Sequence, residues 1–282
     1  MVHLNQFSYG WLNPGLAYAL SVLGSLLGLI CTARARGALT TGERARWLLL
    51  AAWAIGGTGI WVMHFMAMLG FTIPGMPLRY DVPMTLASWI TAVVVVALGL
   101  FIVGFGKPSV PKVLSAGILT GAGVAAMHYT GMGAMRMAGQ IMYDRTLVIA
   151  SLVIAVVAAT VALFFTITLR SGPAIAAAAA IMGVAVCGMH YTGMFAMSVY
   201  RQAPTEPIKG LTPVSFIAPI VVFVLLVSIS LFYALLNRPL DDMEPADPRG
   251  GPPPPPLGPA MPDAFTPSSA RVPRSTYVRS SR

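Results

Sequence analysis

The stretch AAMHYTGMGAM, residues 125–135, places a histidine and three methionines in a segment whose other polar side chains are one tyrosine and one threonine. A near copy, CGMHYTGMFAM, occupies 187–197, and a more divergent copy, WVMHFMAMLGF, occupies 61–71. Each copy has one histidine: His64, His128 and His190. The histidines are 64 and 62 residues apart, which is the length of two membrane spans with their connections. The spacing therefore predicts a two-helix unit repeated three times, with all three motifs on helices that run in the same direction.

The composition indicates a membrane protein. Of the 282 residues, 56% are hydrophobic and only 10% are charged, whereas soluble domains carry about 25% charged residues. Seven apolar runs are long enough to cross a bilayer, which takes about 20 helical residues. They cover residues 14–32, 47–71, 84–105, 113–137, 147–169, 174–199 and 213–236. We therefore predict an all-α membrane protein with a seven-helix domain at 1–237 and a disordered, Pro- and Arg-rich cytoplasmic tail at 238–282.

The basic residues indicate the orientation of the chain. Eight lysines and arginines lie in the first, third and fifth connections and just after the last span, against five in the alternate connections. The positive-inside rule then places the C-terminus in the cytoplasm and the N-terminus outside. This distribution accounts for the net charge of +9 without a nucleic-acid partner. The segment before the first span lacks the basic region of a cleavable signal, so we expect that span to remain in the protein.

The three histidines are predicted to share one layer of the membrane. Each lies 15 to 17 residues beyond the start of its apolar run, which places it roughly 22 to 26 Å into a core about 30 Å thick. A methionine precedes each histidine and another follows it by four residues, on the same helix face. The predicted ligand set is therefore His64, His128, His190, Met63, Met68, Met127, Met132, Met189 and Met194.

The donor types in this layer favour copper. Imidazole binds copper, zinc, iron and nickel, whereas thioether sulfur selects chiefly Cu(I). Methionine also fills irregular gaps in cores, but ionisable groups within a span are costly and usually mark function. Cys187 is either an additional soft ligand or a small buried hydrophobe. Tyr129 and Tyr191, which follow two of the histidines, are candidates for orienting an imidazole or tuning a bound cofactor.

The MHYTGM sequences at 127–132 and 189–194 resemble the signature of the MHYT family of bacterial membrane sensor modules, and MHFMAM at 63–68 resembles a degenerate copy. The resemblance covers residues 10–236. It implies a copper centre formed by the motif Met and His side chains, in the bacterial cytoplasmic membrane, that senses oxygen, carbon monoxide or nitric oxide. The first copy has Phe65 and Met66 where the family has Tyr and Thr. Many relatives continue into a cyclic-dinucleotide enzyme, so here we expect a separate cytoplasmic signalling partner.

Three functions are consistent with the sequence. The first is a non-enzymatic sensor, in which a diatomic gas or a change in copper redox state alters the metal layer. The second is copper transport or delivery, which predicts further soft ligands such as Met182 and Cys31. The third is haem binding by His128 and His190, with glycines after the motif histidines making room for the macrocycle. The spans contain no Asp, Glu or Lys, so general acid-base catalysis has few candidate groups.

Overall fold

The computed structural model describes residues 4–202 and 207–236, which form a helical bundle with short strands at one end. The elements in chain order are α1 (Leu12–Gly37), α2 (Thr41–Ala52), a π-helical segment (Trp53–Val62), α3 (Met63–Leu69), β1 (Arg79–Tyr80), α4 (Val82–Gly104), α5 (Val110–Gly133), β2 (Met135–Arg136), β3 (Gly139–Tyr143), α6 (Arg145–Thr168), α7 (Gly172–Phe195), β4 (Met197–Arg201) and α8 (Pro213–Leu236). The α2 helix, the π-helical segment and α3 run on without a break and form the second span.

The predicted all-α membrane fold is confirmed. Within the described residues, six helices are long and apolar enough to cross a membrane. The seventh predicted run, 213–236, coincides with α8, Pro213–Leu236. The second span begins six residues before the predicted run, because the Thr40 hydroxyl accepts a hydrogen bond from the Glu43 amide at 3.1 Å and caps α2. The predicted disordered tail at 238–282 lies outside the described residues.

Six spans form a closed ring. The α4 helix packs between the second span and α5, α6 packs between α5 and α7, and α1 lies between α7 and the second span. The motif helices therefore alternate with the others around the ring. The α8 helix contacts the second span, and there the hydroxyls of Thr58 and Ser228 lie 3.0 Å apart. In the repeat, α4, α6 and α8 are equivalent, because each follows a motif helix. A threefold ring would therefore place α8 between α7 and the second span, but α1 occupies this position.

The first motif differs from the other two in its winding. Residues Trp53–Val62, directly before that motif, form a π-helix, whereas the corresponding parts of α5 and α7 are α-helical. This segment contains three glycines, and α4 lies so close that a Cβ on Gly56 would come within 2.8 Å of the Ala92 carbonyl oxygen. π-Helical turns are rare and frequent at functional sites. They mark the second span as the irregular member of the repeat.

Short strands close the end of the bundle at which the motif helices terminate, which we call the motif end. Strand β1 pairs with β2, β3 pairs with β4, and isolated bridges join Asn5 to Thr72 and Tyr80 to Leu211. The sequence analysis predicted none of these strands. Their pairing ties together the connections that follow the three motifs.

An ion pair and a helix cap also stabilise the motif end. Asp81 caps α4 by accepting a hydrogen bond from the Met84 amide at 3.0 Å, and its other carboxylate oxygen lies 2.9 Å from the Arg136 guanidinium. The hydrogen bond from the Met84 amide and the interaction with Arg136 hold the pKa of the Asp81 carboxyl below its usual value. This contact joins the connections after the first and second motifs.

Candidate metal centre

The three motif histidines meet at the centre of the ring. The Nδ1 atom of His64 lies 3.0 Å from Nδ1 of His190 and 3.1 Å from Nδ1 of His128. The imidazole planes are nearly perpendicular to one another, with ring centroids 4.9 to 5.2 Å apart. All three side chains are buried. The structure thus brings together on three helices the residues that the sequence places 64 and 62 positions apart.

The opposite edges of the rings pack against the motif glycines. A Cβ on Gly131 would lie 2.5 Å from Nε2 of His64, and a Cβ on Gly193 would overlap Nε2 of His128. His64 and His128 therefore each pack against the glycine three residues after the histidine of the next motif. The first motif has Ala67 at this position. Their recurrence three residues after a histidine was the sequence signal for this packing, which the expectation of space for a macrocycle missed.

The unpaired ring nitrogens are consistent with a metal site. Nε2 of each of the three histidines is buried and has no hydrogen-bond partner among the described residues. Leaving such a group unpaired costs about 1 to 3 kcal/mol. A metal on Nδ1 fixes the proton of a neutral imidazole on Nε2. The three Nδ1 atoms, rather than Nε2, therefore face the position that a cation could share.

The spacing of the nitrogens fits one ion. Ligand nitrogens at about 2.0 to 2.1 Å from a common ion lie about 3.3 to 3.6 Å from one another. Two of the three Nδ1 separations are 3.0 and 3.1 Å, and one donor nitrogen from each of the three rings lies within 4.8 Å of the others. A small adjustment of the rings therefore suffices. The donor set fits a transition-metal ion and is unsuitable for Mg²⁺ or Ca²⁺, because it contains no oxygen ligand.

The six motif methionines lie on the helices that carry the histidines and are buried, each at most 2% exposed. They are Met63, Met68, Met127, Met132, Met189 and Met194. Met63 packs in a small cluster with Ala67, and Cys187 lies against the same cluster. Both cysteines of the chain are free thiols. Sulfur donors are thus present in the helices that carry the histidines, in a region closed to solvent.

The two motif tyrosines lie beside the histidines without binding them through their hydroxyls. The Tyr129 ring packs edge-on against His128 with centroids 5.0 Å apart, and its hydroxyl lies 2.7 Å from the Ser151 hydroxyl on α6. The Tyr191 ring packs in the same way against His190, at 4.9 Å. In the first motif the corresponding ring is Phe65, 4.8 Å from His64. All three aromatic rings therefore pack edge-on against the histidine that precedes them, and whether they orient it stays a prediction.

The structure does not support the suggestion that glycines make room for a haem. The space over Gly131 and Gly193 is filled by the rings of His64 and His128. His128 and His190 also face one another with centroids 5.2 Å apart, which leaves no gap for a macrocycle between them.

A family model described as a bacterial signalling protein N-terminal repeat, MHYT, matches the chain three times, at residues 57–116, 121–179 and 183–240. Each match contains one motif, and together they cover more than half of the chain. The matches confirm the threefold repeat predicted from the histidine spacing.

Characterised bacterial signalling proteins are among the relatives. The bifunctional diguanylate cyclase/cyclic di-GMP phosphodiesterase MucR of Pseudomonas aeruginosa is 38% identical over 199 residues, which are 67% of this chain and 28% of that protein. The cyclic di-GMP phosphodiesterase NbdA of the same species is 34% identical over 72% of this chain and 26% of its own length. The signaling protein YkoW of Bacillus subtilis is 29% identical over 58% of this chain and 21% of its own length.

The chain thus spans only about a quarter of the length of these relatives. No solved structure matches it. Three matches to the family model, each around a histidine of the central cluster, establish that the chain belongs to the MHYT family of bacterial membrane signalling modules.

Proposed function

We propose that the bundle is a membrane sensor whose Nδ1 atoms of His64, His128 and His190 hold a copper ion. The observation that carries the proposal is the meeting of three buried ring nitrogens from three repeats, two of them 3.0 and 3.1 Å from the third. Packing alone does not require histidine at this depth, because an apolar residue would avoid the cost of the unpaired Nε2 atoms. The three side chains together therefore indicate a ligand.

Copper is the metal that best suits this environment. Thioether-rich surroundings favour Cu(I), which tolerates soft, uncharged ligands. Three histidines alone can also hold zinc, so the choice of copper rests on the methionine sulfur of the motif helices. Bound copper would supply a centre that binds oxygen, carbon monoxide or nitric oxide or changes its own oxidation state. The fully buried imidazoles would hold that centre away from water and confine its reactions to small uncharged molecules.

Transmission to the rest of the bundle is proposed to use the π-helical segment. A sensor needs an element with two arrangements whose balance depends on the ligand. His64 is the second residue after this segment, and its Nδ1 lies close to Nδ1 of both other histidines. A change of winding between π and α would rotate His64 relative to its partners. The two equilibria, winding and metal coordination, would thereby be coupled.

The signal is proposed to pass to a separate cytoplasmic protein, with the motif end outside and the C-terminus in the cytoplasm of a bacterial inner membrane. The names of the relatives assign synthesis or hydrolysis of cyclic di-GMP to those proteins, so a partner that handles this second messenger is the first candidate. The described bundle itself is proposed to be non-catalytic.

Copper transport is less well supported. A transport path needs further ligands at other depths. Among the described residues, the three histidines are the only group of three or more His, Cys, Asp or Glu side chains arranged to share an ion. Cys31 is buried and free and is not part of any such group.

The metal content of purified protein tests the proposal. We expect protein reconstituted in lipid nanodiscs to retain copper, and His64→Ala, His128→Ala and His190→Ala each to lose it. Tyr129→Phe is the matched control, because it changes a residue next to His128 whose hydroxyl bonds to Ser151; it should retain copper. Equal copper in the wild type and the histidine variants would refute the site, and zinc or iron bound in place of copper would refute the choice of metal.

The response to a gas is tested on the same samples. Infrared spectra of Cu(I)-loaded protein under carbon monoxide should show a copper-carbonyl band that is absent from the histidine variants. Copper-loaded protein without such a band would overturn the gas-sensing part of the proposal and leave a redox response as the remaining signal.

A further inference from the structure

An apolar chamber of about 400 Å³ lies inside the ring beneath the histidines. We use the name chamber for this cavity, whose wall includes Ile60, Val124 and Val186. Each of these residues precedes a motif histidine by four positions, which is about one helical turn on the same face. The chamber therefore begins about one turn below the three histidines and on their side of each helix.

The next turn continues the chamber away from the histidines. Thr120 and Met182, eight residues before His128 and His190, also line it. So does Met189, the residue directly before His190. The chamber is thus a continuation of the metal centre along the axis of the bundle, and its upper part is in contact with a predicted sulfur ligand.

The chamber opens sideways toward the hydrocarbon. Its wall includes Val153 and Val157 on α6 and Ile181 on α7, each more than half exposed. These side chains lie in the middle of membrane-spanning helices, so their exposed surface faces lipid. The mouth of the chamber is therefore along α6 and α7 within the bilayer.

At the motif end, the described residues cover the histidines. The histidines are at most 1% exposed, and the strand residue Tyr80, which is also fully buried, packs against the Phe65 ring with centroids 5.9 Å apart. Paired strands join the connections above these rings. The described residues therefore cover the centre at this end, whereas from the bilayer side the chamber reaches Met189, next to His190.

We propose that the chamber collects small apolar molecules dissolved in the bilayer, diatomic gases among them, and is their route to the histidines. The wall favours apolar molecules, because its only polar side-chain groups among the described residues are the hydroxyls of Ser25, Thr120 and Thr166. Transfer of a polar molecule into such a site costs several kcal/mol, whereas dry apolar cavities bind xenon and similar molecules. The gas-delivery role rests on the proposed sensor function, but the chamber itself is defined without the metal.

Xenon tests the chamber in metal-free protein. In nanodiscs, with methionine methyl groups labelled with ¹³C, xenon pressure should shift the resonances of Met182 and Met189. Met142, an exposed residue of β3, is the internal reference and should not respond. Absence of any xenon effect on Met182 and Met189, as expected if a lipid acyl chain fills the cavity, would overturn the proposal.

Filling variants show whether the response comes from the chamber. Ala158→Leu on α6 and Ala185→Leu on α7 add bulk from two sides of the wall, and either one suffices if the other does not fold. Ala177→Leu, at an exposed position of α7 outside the wall, is the matched control. We expect the xenon shifts to be lost in the filling variants and kept in the control; shifts that persist in both filling variants would refute the assignment.

The route is tested with two paramagnetic probes. Dissolved oxygen should broaden the Met182 and Met189 methyl resonances, whereas a water-soluble gadolinium chelate should broaden only Met142. The opposite pattern would show access from water and overturn the lateral route. Because these measurements need no copper, they can succeed when copper binding fails, and the reverse also holds.

Discussion

Gly193→Ala is the substitution that tests the packing of the histidines most directly. The added methyl group would overlap Nε2 of His128, and that ring has little freedom to move because it is fully buried between the other two imidazoles. Overpacking of this kind costs about 1 to 3 kcal/mol. Replacing glycine by alanine also gains about 0.4 to 1 kcal/mol through the unfolded state. We therefore expect the free energy of unfolding to fall by about 1 to 2 kcal/mol.

Gly188→Ala on the same helix is the control. Nothing lies within 4 Å of a Cβ at that position, so the variant should be as stable as the wild type or up to about 1 kcal/mol more stable. Unfolding of each variant is followed in mixed micelles of dodecyl maltoside and SDS by circular dichroism. The double variant Gly193→Ala/His128→Ala removes the ring that the added methyl group meets. Its loss of unfolding free energy should be smaller, by about 1 to 2 kcal/mol, than the sum of the losses in the two single variants. Additive effects, or a Gly193→Ala variant as stable as Gly188→Ala, would show that His128 does not pack as described.

Three further predictions address the Asp81 helix cap, the π-helical segment and the sulfur ligands. Asp81→Asn should lower the thermal unfolding temperature at pH 7. The pKa of Asp81 is depressed in the folded protein, so its carboxylate stabilises the fold at pH values above the unfolded-state pKa. This stabilisation is lost as the pH falls below about 4, and there the unfolding temperatures of variant and wild type should converge. Gly56→Ala should destabilise by about 1 to 3 kcal/mol through its clash with α4, while Gly57→Ala, whose Cβ meets only atoms at 3.7 Å and beyond, should not, as judged by the same SDS titration. Met194→Leu should weaken Cu(I) binding in a competition titration with a chromophoric chelator at a stability cost below about 1.5 kcal/mol, and the exposed Met142→Leu should change neither. Equal Cu(I) affinities of Met194→Leu and the wild type would remove Met194 from the ligand set.

The spans and the histidine layer were predictable because each depends on a local pattern. Apolar runs of about 20 residues report helix length in a bilayer directly. A histidine at the same distance from the start of each run must lie at the same depth, as His64, His128 and His190 do. Convergence of the rings then follows from placing three equivalent helices around one axis.

The strands of the motif end and the winding of the second span depend on tertiary contacts that leave little trace in the sequence. Strands of two to five residues are too short for an alternating pattern, and they form because the motif helices deliver their connections side by side. The π-helical segment is apolar throughout, so its periodicity does not distinguish it from an α-helix. It contacts α1 through Gly59, α4 through Gly56 and α8 through Thr58. The position of α1 in the ring could not be predicted either, because the repeat alone would place α8 there.

Three departures from threefold symmetry fall on one helix. The second span has Phe65 in place of the motif tyrosine and Ala67 in place of the motif glycine, and it alone carries the π-helical segment. It also carries His64, whose Nδ1 contacts both other rings. Close packing of Gly193 on α7 against His128 on α5 joins the other two motif helices. Under the proposed sensor function, the irregular winding before His64 makes the second span the motif helix that we expect to move relative to α5 and α7.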